Sequence, residues 1–267
     1  MAITTLDGLI AAARQQIVYQ KTASITTAAL PNNTGTVWHL AGDPGLGTLA
    51  VGNTANGLVP TDATAGFPLI NAFGGSATGY LAMVEASCSV AATLVLYDRL
   101  FHCGAYAFNA ATTLATIPSY SGRVPGGTDF TGTELWAEQV TAGTLVQNVN
   151  VGYTNQAGTA GKVTGAIAAP AAMIVGRMFP LPLAAGDSGV SVVNSVTGTV
   201  ASAGTFNVVV MRRLATVRIP LANFAVKYGF AETGLPQVFD TSALCLAVQP
   251  DSTSTGLPYM RLIIANG

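Results

Sequence analysis

Charge is what this sequence has least of. Of 267 residues, 11 are Lys or Arg and 12 are Asp or Glu, or 9% of the chain, where a soluble domain typically carries about 25%. No basic run is longer than Arg212-Arg213. No stripe of cations is therefore available to neutralise a phosphate backbone, and nucleic acid is not expected as a partner. Histidine is nearly absent: His39 and His102 stand 63 positions apart, and eight scattered Asp residues supply no ligand spacing, so no metal site is expected. With four Glu residues besides, general acid–base chemistry has few candidates. Long apolar runs are missing too. The longest, Gly165 to Gly176, contains Pro170 and stops at Arg177, well short of the roughly 20 residues a spanning helix needs, so no membrane partner is expected. The start, "MAITTLDGLIAAAR", lacks a basic leader and is interrupted by Asp7, so no secretory signal is expected. The cysteines are Cys88, Cys103 and Cys245, an odd number without zinc spacing. They read as small buried hydrophobes, with a disulfide between two of them left open. The glycine-rich "GDPGLG" (42–47) lacks the Lys and Ser/Thr of a phosphate loop, and no cofactor is expected.

What remains is small and apolar. Half of the residues are hydrophobic, mean hydropathy is positive, and the net charge is −1. A surface of Thr, Ser, Asn, Gly and Ala is cheap to bury, because few charges need desolvating. Near-zero net charge favours association. Such a composition suits a subunit in contact with neighbours.

Along the chain, Leu6, Leu9, Ile10, Ala13 and Ile17 recur at helical spacing. This predicts a helix over 4–20, capped by Thr4 or Thr5 and followed by a Thr-rich extended arm to residue 30. Residues 31–78 read as a loop-rich segment packed on the body. From residue 79 to 267, four stretches share a layout of strand, small-residue turn and strand: 80–100, 134–155, 190–214 and 243–262. Their second strands tend to carry Arg-Leu, at Arg99-Leu100, Arg213-Leu214 and Arg261-Leu262. The layout reads as repeated hairpins. It predicts an all-β body, an antiparallel β-sandwich or jelly roll with an N-terminal helix and arm and long loops. "TLVLY" (93–97) is apolar on both faces and should be a central strand covered on both sides.

Three clusters invite a chemical reading. "YDRLFHCG" (97–104) brings Asp98, Arg99, His102 and Cys103 close in sequence. On a regular strand Asp98 and His102 share a face while His102 and Cys103 point apart, so no Cys–His nucleophile pair forms. The cluster reads as a strand end meeting water or a neighbouring chain. "GDSG" (186–189) surrounds the nucleophile in trypsin-like proteases, and His39, Asp98 and Ser188 come in that order. The local context of both histidines differs from that family, Val190 follows where a second Gly is usual, and the tetrapeptide is an ordinary turn. "ELW" (134–136) and eight tyrosines would serve a carbohydrate- or receptor-binding module if they lined an exposed groove. No catalytic, cofactor-binding or metal-binding residue is assigned.

Five stretches, "YQKTASITT" near the start, "WHLAGDPGLG" (38–47), "LVLYDRLFHCG" (94–104), "VGYTNQAGTAGKV" (151–163) and "FPLPLAAGDSGVSVVNSVT" (179–197), span most of the chain. In them the sequence resembles tailed-bacteriophage virion structural proteins. The resemblance implies a non-enzymatic particle component, assembled in the host cytoplasm and located in the virion. Its partners would be copies of itself and other virion proteins, a major capsid protein or tail proteins. It carries over no catalytic residue. Within it, a head decoration or minor capsid protein stabilising the shell by non-covalent contacts is the leading expectation, and a tail-tube or baseplate protein is the alternative. A major capsid protein of the common tailed-phage fold needs a long spine helix, which no amphipathic run here supplies. Candidate inter-subunit contacts are Leu6, Leu9, Ile10, Ile17 and Tyr19 of the N-terminal segment, and Arg99.

Overall fold

The computed structural model describes residues 3–26, 33–75, 78–144, 147–165, 167–169 and 174–267. At the N-terminus, Thr5 caps a short helix, Leu6–Ala11, its Oγ1 accepting from the Gly8 amide at 3.0 Å. The helix stops there. The expected helix over 4–20 is corrected from Ala13 onward, because Ala13–Lys21 is a strand. Within it Ile17, Tyr19 and Lys21 are buried while their neighbours are not. That period of two, with β-branched and aromatic residues, overrides a helical spacing held together by alanines. Of the expected arm, residues 27–30 lie outside the described residues.

Three antiparallel sheets form the body. The first runs Val226–Tyr228, Gly79–Cys88, Pro258–Asn266, Ala13–Lys21 and Gly42–Asp43, with Gln237–Val238 also on Gly79–Cys88. The second runs Lys162–Val163, Gln147–Asn155, Val190–Gly198 and Ala111–Thr113, with Ile167–Ala169 on Gln147–Asn155. The third runs Met178–Pro180, Thr133–Thr141, Thr205–Ile219, Ala92–Ala107, Leu244–Pro250 and Gly35–Thr36, with Asn53–Leu58 on Ala92–Ala107. This is the expected all-β sandwich. The strand holding "TLVLY" is central in the third sheet, as expected.

The expected hairpins are not hairpins. In each of the four stretches the two strands lie in different sheets. Gly79–Cys88 belongs to the first and Ala92–Ala107 to the third. Thr133–Thr141 belongs to the third and Gln147–Asn155 to the second, Val190–Gly198 to the second and Thr205–Ile219 to the third. Leu244–Pro250 belongs to the third and Pro258–Asn266 to the first. The small-residue turns therefore cross between layers about 10 Å apart instead of reversing the chain within one sheet. Turn composition marks where strands end; it does not decide which strands pair.

The third sheet curls until its ladder closes. Gly35–Thr36 pairs with Ala247 and Val248 on one side. On the other, the Thr36 amide donates to Gly176 O at 2.8 Å and the Met178 amide to Thr34 O at 2.8 Å. Residues 176–178 in turn pair with Thr133–Thr141. The result is a small barrel. Its inner face carries Tyr97, Trp136, Val140, Val209, Met211, Cys245 and Ala247, and its mouth is stoppered by Trp38, Leu49 and Phe67. Trp38 and Phe67 stack at 5.0 Å. The outer face is covered twice. The first sheet packs Leu81, Val84, Leu262 and Ile264 on Leu94, Leu96, Val217 and Ile219. The second packs Val149, Val151, Tyr153 and Val193 on Phe101, Cys103, Val208 and Val210.

Ala13–Lys21 sits between Pro258–Asn266 and Gly42–Asp43, so it is part of the folded body. Truncation distinguishes it from the helix before it. Deleting residues 1–12 should leave cooperative thermal unfolding, followed by circular dichroism, within a few degrees of the full chain. Deleting residues 1–21 should abolish the cooperative transition.

Candidate functional site

The centre of the structure is "YDRLFHCG". It lies in the middle of a 16-residue strand and is buried on both faces, so its reading as a strand end is corrected. Pairing with Thr205–Ile219 skips Leu100, which is the extra residue of a β-bulge, and Leu214 is the extra residue of a second bulge on the partner strand. The bulge at Leu100 resets the alternation. Asp98 stays on the outer face with Leu94 and Leu96, and Arg99 shares the inner face with His102, three residues on. The regular-strand expectation, Asp98 with His102, fails at that residue.

Inside the barrel, Arg99 and Glu138 form a bidentate ion pair at 2.8 and 2.7 Å, both side chains 0% exposed. Glu138 also accepts from Trp38 Nε1 at 2.9 Å and from Asn207 Nδ2 at 3.0 Å. Arg99 stacks on the Trp38 ring at 4.8 Å, and its Nε donates to His102 Nδ1 at 3.1 Å. Burial alone would push the Glu138 carboxyl up; Arg99, Asn207 and Trp38 outweigh it and hold it at about 2. Burial, reinforced by Arg99, pushes His102 down to about 2. The imidazole is therefore neutral.

On the outer face Asp98 fills the seam between the two covering sheets. One carboxylate oxygen takes Arg123, and the other takes Ser242 Oγ at 2.8 Å with Arg212 at 3.6 Å. Arg123 also donates to Pro60 O and to Arg99 O, and Arg212 to Gln237 O at 2.7 Å. Every charge in this region is answered by another or by a carbonyl. The arrangement holds strands together.

The remaining sequence candidates separate in space. Arg99 and Tyr19 are fully buried, and Leu9 and Ile17 are 6% and 5% exposed. Leu6 and Ile10, on the outer side of the helix, are 56% and 63% exposed. The protease order His39, Asp98, Ser188 does not converge. Asp98 is committed to Arg123 and Ser242 on the outer face, while His39 packs against Gly176. Ser188 and Gly189 donate their amides to Gln156 Oε1, and "GDSG" begins inside a turn closed by the Asp187 amide on Ala184 O at 3.0 Å. Asp187 accepts from Tyr153 and Asn155 at 2.7 Å each, which lowers its carboxyl pKa. Cys88, Cys103 and Cys245 are buried free thiols, and burial pushes Cys103 and Cys245 up to about 12. Among the described residues no three His, Cys, Asp or Glu side chains gather.

"ELW" borders an open groove of about 560 Å3, with Arg213, Leu181 and Ser188 on its other walls. Glu134 is occupied by Tyr97 OH at 3.0 Å, Trp136 Nε1 at 2.9 Å and Arg213 at 2.8 Å. Trp136 is 8% exposed, so no aromatic platform is presented for a sugar. Sequence reasoning missed the importance of Glu138, Asn207 and Arg123. The one available signal was that a Glu and an Asn stand in otherwise apolar strands.

No protein-family model matches the chain, and no curated protein matches it. Among solved structures, a D431N mutant VP2 protein of infectious bursal disease virus, from derived T=1 particles, is similar at 9% identity and a TM-score of 0.17. That match covers 96% of this chain and 77% of the other. A VP2 subviral particle of the same virus is similar at 9% identity and a TM-score of 0.16, covering 95% and 80%. Scores this low do not establish a shared fold.

The buried pair has measurable consequences. Glu138→Gln leaves Arg99 uncompensated and should lower unfolding free energy by about 3–5 kcal/mol. The double variant Arg99→Met/Glu138→Leu should cost less than the single one in urea titrations. Stability should also fall with acid. His39, pushed to about 4 by burial against the opposing pull of Glu138, and His102, at about 2, both sit below 6.5 when folded. The unfolded chain thus binds more protons as pH drops below 6.5. Below 4.5 the depressed Glu138 adds a second loss that continues towards pH 2. Urea midpoints at pH 7.5, 5.5 and 4 should decrease in that order.

Proposed function

We propose that this chain is a non-enzymatic structural subunit of a bacteriophage particle, a capsid decoration or minor capsid protein. It stabilises the shell through non-covalent contacts with copies of itself and with other virion proteins. The observation that carries this reading is how little charge the surface keeps. Only 9% of residues are charged, and seven of those side chains, Lys21, Asp98, Arg99, Arg123, Glu138, Arg177 and Arg212, are buried. An exterior of small polar residues with sparse charges is cheap to desolvate against a neighbour. The virion resemblance in the sequence supports the same reading.

Leu6 and Ile10 of the capped helix, with Phe230 46% exposed, form the apolar surface that this role would cover. Leu9, Ile17, Tyr19 and Arg99 would support such contacts only from within the subunit. Gold-labelled antibody on intact particles from the source culture tests the proposal. Gold over heads is expected. Gold along tails would favour the tube or baseplate alternative, and particles without gold would overturn the virion role. The variant Leu6→Ser/Ile10→Ser should weaken self-association or particle binding at least tenfold in sedimentation, with the thermal midpoint unchanged within about 2 °C, since surface substitutions are usually within about 0.5 kcal/mol.

A further inference from the structure

The plugged mouth of the barrel is not completely filled. A cavity of about 230 Å3 lies there, lined by Trp38, Thr48, Ala50, Val51, Leu58 and His102. Its walls come from the loop after Trp38 and from Asn53–Leu58. Asn53 braces the latter, its Nδ2 donating to Gly57 O at 2.9 Å and its Oδ1 accepting from the Asn56 and Gly57 amides. His102 lies in the unbroken buried run from Leu96 to Gly104, and the bulge at Leu100 is what turns that imidazole to this side.

His102 is 1% exposed. Its Nδ1 accepts from Arg99 Nε at 3.1 Å. A nitrogen that accepts carries no proton, so the proton of the neutral ring is on Nε2. That N–H is a donor, and it meets no acceptor among the described residues. An unmet buried donor costs about 1–3 kcal/mol, and buried polar groups in folded proteins are satisfied in the great majority of cases. The ring edge opposite Arg99 belongs to the residue that lines the cavity. The charge beside it is already balanced, because Arg99 is paired with Glu138. An anion would have to be desolvated without a free cation to meet it, and a cation would face an N–H.

We propose that this cavity binds a small uncharged molecule with an apolar body and one hydrogen-bond acceptor, which the His102 Nε2–H donates to. Barrel mouths are frequent sites for such ligands. The volume limits the occupant to a fragment-sized molecule, below the about 300 Å3 at which drug-sized sites begin. The site is independent of any particle role. A ligand there would join the loop after Trp38 to the barrel wall.

The test uses the full chain labelled with 15N and the imidazole resonances of its two histidines. Acetophenone is the probe, and ethylbenzene, which has the same apolar body without the acceptor, is the control. The expected result is a saturable downfield shift of the His102 Hε2 proton with acetophenone and none with ethylbenzene, while His39 stays unmoved. His102→Phe should weaken acetophenone binding at least tenfold. Because that variant removes the Arg99 contact and can fail to fold, Ala50→Trp provides a second check, since Ala50 is exposed and a tryptophan there should block the cavity. No saturable shift, equal shifts with both compounds, or an Hε2 proton held by an ordered water that acetophenone does not displace would each overturn the proposal.

Discussion

The fold depends on one buried ion pair. Arg99 and Glu138 sit on strands that do not touch each other; both flank Thr205–Ile219, which contributes Asn207 to the same carboxylate. The pair therefore spans three strands. Bringing two charges out of water costs several kcal/mol per ion, and only close geometry with every remaining donor satisfied repays it. Here the two carboxylate oxygens take four donated bonds from Arg99, Trp38 and Asn207. Trp38 connects this to the mouth of the barrel, because its ring also lies under Arg99 and against Phe67.

Lys21 extends the same logic to the loop that carries Trp38. The residue is 1% exposed, and its ammonium donates to Leu40 O at 3.0 Å and Pro44 O at 2.6 Å. Burial pushes its pKa down to about 8, with Asp43 pulling the other way. The barrel plug is thus held from inside by Glu138 and from the neighbouring sheet by Lys21. Together with the Asp98 cluster at the seam, this explains what the buried charges do. They join layers, while pairs such as Arg218–Asp251 and Arg261–Glu85 stay at the surface among small polar residues.

The strand content of the fold was legible in the sequence, because valines, threonines and small-residue turns mark where strands begin and end. The covered centre of "TLVLY" was legible as well, from a run apolar on both faces. Pairing was not. Adjacent strands go to different sheets, and nothing within "VAATL" or "VTAGTL" tells a crossover from a hairpin. The N-terminal strand was hidden because alanines and leucines before it extend a helical spacing into Ile17. The meeting of Arg99 and His102 was hidden by the bulge at Leu100, since a strand read at strict period two puts His102 with Asp98. A bulge depends on the partner strand, and its position cannot be read from one strand alone.

That bulge also shows what the buried charges specify. With few hairpins to fix register locally, long-range pairing must be set by side chains that tolerate no other position. Slipping Ala92–Ala107 by one residue against Thr205–Ile219 would exchange its faces. Arg99 would then move out to the seam already occupied by Arg123 and Arg212, and Asp98 would move in against Glu138. Both placements set like charges together in a dry interior, where removing one partner of a pair alone costs about 3–5 kcal/mol. Apolar residues on both faces of the strand would penalise the same slip far less, because either face could be buried. The two ion-pair clusters, one on each face of the same strand, thus fix the register that the crossover topology leaves open.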